Sequence, residues 1–112
     1  MTPYRLVLST LDNRSRAEEI ALTLLQERLV ACVNIVGPAL SLYHWQGSIE
    51  RDEEYVLLMK TADHLVSLLT ARLQELHPYD VPEVLAVPID AGASAYLTWM
   101  AQSIRHLAET EQ

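Results

Sequence analysis

One cysteine, three glycines and the lack of any glycine-rich loop leave several chemistries without their raw material. Cys32 has no partner for an internal disulfide, and a lone thiol fits a reducing compartment. Without a Walker or dinucleotide fingerprint there is no ready cradle for phosphates. Neither a GxSxG elbow nor an HExxH pair occurs, and no spacing of Ser, His and Asp marks a triad. The expectation is therefore a protein that is not an enzyme. Basic residues are scarce as well: eight Lys and Arg against fifteen Asp and Glu give a formal net charge of −7. Nucleic acid and anionic membrane surfaces need clustered cations, and here they stand singly. The opening residues, MTPYRLVLSTL, lack the basic region and longer apolar core of a signal peptide, which points to a cytoplasmic protein. An uncharged run lies between Arg28 and Glu50, long enough to suggest a membrane span. Gly37-Pro38, Asn34, Ser41, His44 and Gln46 would be costly in lipid, so the run reads as strands.

What is present is a chain of 112 residues, half of them apolar, with no linker or low-complexity segment. One domain over residues 1–112 is the natural reading. The stretch from Leu40 to Thr61 stands out as two strands around a charged turn at Glu50 to Glu53. On the first arm, Leu40 and Leu42 oppose Ser41, Tyr43 and Trp45. On the second, Tyr55, Leu57 and Met59 oppose Val56 and Leu58. Two apolar faces need two covers.

Ahead of that hairpin, Tyr4 to Leu11 reads as a strand. Ser15 and Glu18 have capping-box spacing, and a helical stripe runs from Ala17 to Leu29. A further strand begins at Ala31, with Gly37-Pro38 marking a bulge or bend. After the hairpin, Asp63 is a candidate N-cap for a helix striped by Leu65, Leu68, Leu69, Leu73 and Leu76, stopped by His77-Pro78. Val84 to Ile89 is a short strand kept at an edge by Pro88. A third helix starts near Ser94, with the stripe Leu97, Met100, Ala101, Ile104 and Leu107 or Ala108, and the tail from Glu109 frays. The order βαββαβ plus a final helix predicts an α+β, ferredoxin-like sheet with both crossover helices on one face. A second copy of the chain is the economical cover for the other face.

Candidate site residues are few. Lys60 lies among apolar neighbours and must snorkel, pair with Glu54 or Glu83, or contact an anionic ligand. Tyr43, Trp45, Tyr79 and Trp99 can wall a cleft or bury as core. The Pro78–Glu83 connector, stiffened by Pro78 and Pro82, can hold Tyr79 and Glu83 in place near a hairpin. Cys32 and His77 are the softest donor pair for a copper-like ion; a buried thiol and a helix-capping imidazole are the plainer readings.

Four stretches carry a resemblance: Arg28–Ile35 (RLVACVNI), Ser41–Gly47 (SLYHWQG) with Lys60-Thr61, Leu76–Glu83 (LHPYDVPE) and Tyr96–Trp99 (YLTW). In this order they resemble the CutA family of divalent-cation-tolerance proteins over nearly the whole chain. The resemblance implies a ferredoxin-like subunit in a tight homotrimer, similar to the PII signalling proteins. It also implies a cytoplasmic role in tolerance of copper and other divalent ions. Cys32 and His77 match family metal ligands, while Ser9 stands where some members carry a further cysteine. The alternative is a PII-like module taking a small anionic ligand at clefts between subunits, with Lys60 as the contact.

Overall fold

The computed structural model describes residues 1–106. The chain runs β1 (Tyr4–Leu11), α1 (Arg14–Gln26), β2 (Cys32–Trp45), β3 (Ser48–Ala62), a 3-10 turn (Asp63–Leu65), α2 (Val66–Leu76), β4 (Leu85–Pro88) and α3 (Ser94–Ser103). The four strands form one antiparallel sheet in the order β2-β3-β1-β4. This is the α+β, ferredoxin-like arrangement with an added helix. Pro88 lies on the edge strand, where its missing N–H costs no ladder bond. No described helix is long and apolar enough to cross a membrane.

Register and alternation assign the sheet's two faces. Val7 and Leu11 of β1 and Leu57 and Met59 of β3 are all at most 1% exposed. They pack with Ala17, Ile20 and Leu24 of α1 and Leu69 and Leu73 of α2 in the core. The opposite face carries Leu6 and Leu8 of β1, Val56 and Leu58 of β3, and Leu85 and Val87 of β4. These residues are half-buried or exposed, and neither crossover helix covers them. The apolar second face is therefore bare in the single chain.

The hairpin turns earlier than its charges suggest. Trp45 pairs with Ser48, and Gln46 and Gly47 form the two-residue turn, both with positive φ (49° and 81°). That is the type I′ geometry matching the twist of a hairpin, with glycine at the second position. Glu50 to Glu53 lie instead inside β3, paired with Tyr43 to Leu40. The Gly37-Pro38 irregularity is a real bulge. Val36 pairs with Val56 but Ala39 with Glu54, so β2 spends one extra residue there. The extra residue swaps the parity of β2, turning Tyr43 and Trp45 towards the bare face alongside Asp52 and Glu54. Gly37 is required by space: an added Cβ would lie 2.9 Å from Tyr55 Cδ1 and 3.0 Å from the Glu54 carbonyl oxygen.

Several helix ends differ from the sequence reading. Asn13, not Ser15, caps α1, its side chain accepting the Arg16 N–H at 2.9 Å. That helix closes by Leu29 N–H to Leu24 O and Arg28 N–H to Leu25 O, with Arg28 at φ 57°. This pair of bonds is a Schellman ending, so Leu29 anchors the exit rather than extending the helix. Asp63 makes no cap; it meets the Arg5 guanidinium at 3.3 Å while the chain passes through the 3-10 turn. Leu68 is exposed, leaving Leu65, Leu69 and Leu73 as the buried stripe. Ser94 opens α3 without a side-chain cap bond. The expected positions Leu107, Ala108 and the tail from Glu109 lie outside the described residues.

Candidate functional site

At the root of the hairpin, on the bare face, the sheet and the Pro78–Glu83 connector enclose a cavity of about 400 Å³. Its walls are aromatic and its polar groups are acidic: Tyr43, Trp45 and Tyr79 stand with Asp12, Asp52, Glu54, Asp80 and Glu83. No Lys or Arg lines it. The connector is held there by its first residues. His77 ends α2, its Nε2 lying 2.8 Å from the Thr10 carbonyl oxygen, and its Nδ1 accepts the Tyr79 N–H at 3.0 Å. Accepting at Nδ1 places the ring proton on Nε2, which then donates to Thr10. Tyr79 packs edge-on against that ring and donates its hydroxyl to Glu54 Oε2 at 2.8 Å. The expected approach of connector and hairpin is thus seen within one chain.

Both phenols act as donors to carboxylates. Tyr43 donates to Asp52, which pushes its own pKa up to about 12. Burial, and then the bond to Glu54, push Tyr79 above the ordinary tyrosine range. Phenols so placed stay neutral at physiological pH and hold the two carboxylates in position. Glu54 itself is only 7% exposed. A buried carboxylate among other carboxylates makes the cavity attractive to cations.

Lys60 and Trp99 do not belong to this cavity. Lys60 pairs in register with Cys32 and Leu6, about 13 Å along the strands from Thr10 at ~3.3 Å per residue. Its ammonium bonds the Tyr96 hydroxyl at 3.2 Å and sits 5.4 Å from that ring's centroid. Tyr96 in turn packs on Trp99 at 5.2 Å between centroids. The bond to Tyr96, and then the nearby Cys32 thiol, raise the Lys60 pKa against the opposing effect of burial. Within the described residues of one chain, Lys60 makes no ion pair with Glu54 or Glu83. The six cleft residues fall into two groups at opposite ends of one sheet face. Asp52 was missed because a charged run reads as solvated turn, and the Gln46-Gly47 signal was the clue that it belongs to a strand; Asp12 and Asp80 are single acids outside that run and carried no such signal.

The sequence profile of the CutA1 divalent ion tolerance protein family matches residues 5–103. The chain belongs to the CutA1 family. It is 45% identical over 97 residues to the divalent-cation tolerance protein CutA of Thermus thermophilus, covering 87% of this chain and 94% of that one. It is 41% identical to the chloroplastic CutA of Arabidopsis thaliana and 39% to human CutA, over 93% and 90% of this chain. It spans little more than half of those two relatives, 57% and 56%. The crystal structure of CutA from Xylella fastidiosa superposes with a TM-score of 0.90 at 42% identity, covering 93% of this chain and all of that one.

Within this CutA1 chain, Cys32 and His77, the expected donor pair, are kept apart. Both ring nitrogens of His77 are engaged and the residue is 7% exposed, so it offers no free donor as folded. Cys32 lies at the Lys60 end, half-buried, its Sγ 3.8 Å from Asn34 Oδ1. Ser9 faces the helices, wholly buried, and its hydroxyl has no partner among the described residues. Among those residues no three His, Cys, Asp or Glu side chains converge to hold a metal ion.

Proposed function

We propose that the chain acts as a cytoplasmic homotrimer in divalent-cation tolerance, binding metal ions without catalysing a reaction. The observation that supports it is the hairpin-root cavity, with five carboxylates and no cation on its walls. Oxygen donors of this kind favour divalent ions over anions, and the harder ions over copper. Because no three donors converge among the described residues, a tight site draws ligands from a neighbouring copy. Assembly is supported by the bare apolar face and by Leu40, Leu42 and Ile49, exposed on the hairpin by 61%, 59% and 71%. Patches of this extent mark interaction surfaces. Copper through the Cys32 thiolate is a separate and weaker contact at the far end of the face. The second reading is PII-like, a small anionic ligand at clefts between subunits with Lys60 as the contact; within one chain Lys60 lies outside this cavity, whose carboxylates repel anions.

Calorimetric titration with Mn²⁺, Zn²⁺, Cu²⁺ and ATP tests this directly. Divalent ions bind the native protein, and Asp52→Asn with Glu83→Gln weakens them at least tenfold, while Cys32→Ser affects copper alone. Tight ATP binding without metal binding would reverse the preference. Light scattering giving the mass of one chain at micromolar concentration would end the trimeric reading.

A further inference from the structure

The resemblance makes His77 a metal donor, but its geometry serves another purpose. A histidine that holds a metal commonly donates its other ring N–H to a carbonyl, and the bond from Nε2 to the Thr10 oxygen at 2.8 Å has that form. The nitrogen left for a metal would be Nδ1, and Nδ1 already accepts the Tyr79 N–H at 3.0 Å. Local sequence makes that second bond possible. Pro78 keeps His77 out of helical geometry, at φ −76° and ψ 137°, from where the ring reaches the amide two residues on. The ring is also buried. What it holds is Tyr79, which packs edge-on against it at 4.6 Å between centroids and donates its hydroxyl to Glu54 Oε2 at 2.8 Å. One imidazole and one phenol thus join β1, the connector and β3. The last group in this series is a carboxylate on the cavity wall, with Oε2 held and Oε1 left to offer a cation.

We propose that His77 is a positioning residue: acting through Tyr79, it sets the Glu54 carboxylate for cations in the hairpin-root cavity and takes no metal itself. This role rests on the reading of that cavity as a cation site, and it replaces the ligand role that the family resemblance implies for His77. A carboxylate with one oxygen already fixed meets an ion without first being ordered, which is how outer partners of a metal site act. The imidazole keeps its proton on Nε2 throughout, with an ion in the cavity or without one, because Nδ1 is needed as an acceptor.

Two amide replacements separate the ring's nitrogens. In His77→Asn the side-chain oxygen stands near Nδ1 and accepts the Tyr79 N–H, as asparagine does in an Asx turn. His77→Gln reaches Thr10 instead and leaves that N–H without its acceptor. With both variants folded by circular dichroism, Mn²⁺ affinity should stay near the native value in His77→Asn and fall about tenfold in His77→Gln. Exchange of the Tyr79 amide should be slow in the native protein and in His77→Asn, and fast in His77→Gln. Tyr79→Phe should weaken Mn²⁺ as His77→Gln does, and the double variant no further, because both break one series of bonds. The native protein needs no variant: long-range ¹H–¹⁵N spectra should show the Nε2–H tautomer of His77 before and after Zn²⁺ or Cu⁺ is added. Equal loss of Mn²⁺ affinity in His77→Asn and His77→Gln, or a metal-induced shift at Nδ1, restores the ligand role and overturns the proposal. Native protein that binds no divalent ion overturns the cation site and what Glu54 is set for, while slow Tyr79 exchange would still uphold the hold of His77 on the connector.

Discussion

Leu57 and Met59 share a face of β3 with Ile49, yet the first two are at most 1% exposed and Ile49 is 71% exposed. The strand is the same and so is the alternation; only the cover differs. β3 has 15 residues, about 50 Å of strand at ~3.3 Å each. The crossover helices α1 and α2, of 13 and 11 residues, reach about 20 and 17 Å at ~1.5 Å per residue. The hairpin outruns its helices. An alternating pattern thus decides which way a side chain points, whereas the length of the neighbouring element decides whether it is covered within the chain.

Truncating each half tests that contrast most strongly. Leu57→Ala removes a fully buried side chain and is expected to cost about 2–5 kcal/mol in denaturant unfolding. Leu40→Ser with Leu42→Ser should leave the chain's own fold within about 0.5 kcal/mol, since both are exposed. In the proposed trimer the same pair should shift the dissociation midpoint to higher protein concentration. Equal losses of unfolding stability from the two variants would erase the distinction between body and hairpin.

The junction between the halves is Gly37. An alanine there must push against the Tyr55 ring and, less yieldingly, the Glu54 carbonyl oxygen. Gly37→Ala is expected to cost about 1–3 kcal/mol, as overpacking does. It should also loosen the Tyr79–Glu54 bond that depends on that segment of β3, visible as faster exchange of the connector amides. A neutral result would mean that the bulge relaxes without moving Glu54.

Much of this organisation was legible because it is local or periodic. The strand-helix order, the stop at His77-Pro78, the edge position of Pro88 and the bulge at Gly37-Pro38 all follow from residues with fixed backbone preferences. The hairpin turn was misplaced because charges at Glu50 to Glu53 resemble a turn, whereas Gln46-Gly47 supplies the positive φ that the turn needs. The site was legible as a set of residues and not as a place. Tyr43, Trp45, Tyr79 and Glu83 meet because the bulge changes the parity of β2. Lys60 stays away because it lies six residues from Glu54 along β3, and Trp99 stays with it through Tyr96 on α3, a placement that needs the fold.

Ser9 gives a smaller effect of opposite sign. Its hydroxyl is buried against the helices with no partner among the described residues, paired in register with Leu57. Burying an unpaired hydroxyl is unfavourable, so Ser9→Ala should raise stability by about 1 kcal/mol. A fall in stability would show that the hydroxyl is satisfied, for instance by an ordered water.

The smallest expected effect concerns acid, and it separates the body from the cavity. Glu27 at the end of α1 takes a two-pronged grip from Arg72 of α2, with Nε–Oε1 and Nη2–Oε2 both 2.8 Å. Those hydrogen bonds hold its carboxyl below the ordinary value of 4.5, with the charges of Arg72 and Arg105 adding to them and burial opposing them. A carboxyl with a lowered folded pKa binds fewer protons in the folded state, so its contribution is present above the unfolded value. It is lost as pH falls through the lowered one. The window therefore opens just below pH 4.5 and lies well clear of neutrality. The pair is about one-third exposed on each side, so solvent and salt screen it and the effect is modest. Unfolding midpoints measured from pH 7 to pH 3 should show Glu27→Gln less stable than the parent at pH 7. The gap should narrow as pH falls below 4.5 and the carboxyl takes up its proton. A constant gap across that range would show that Glu27 acts through packing and not through its charge.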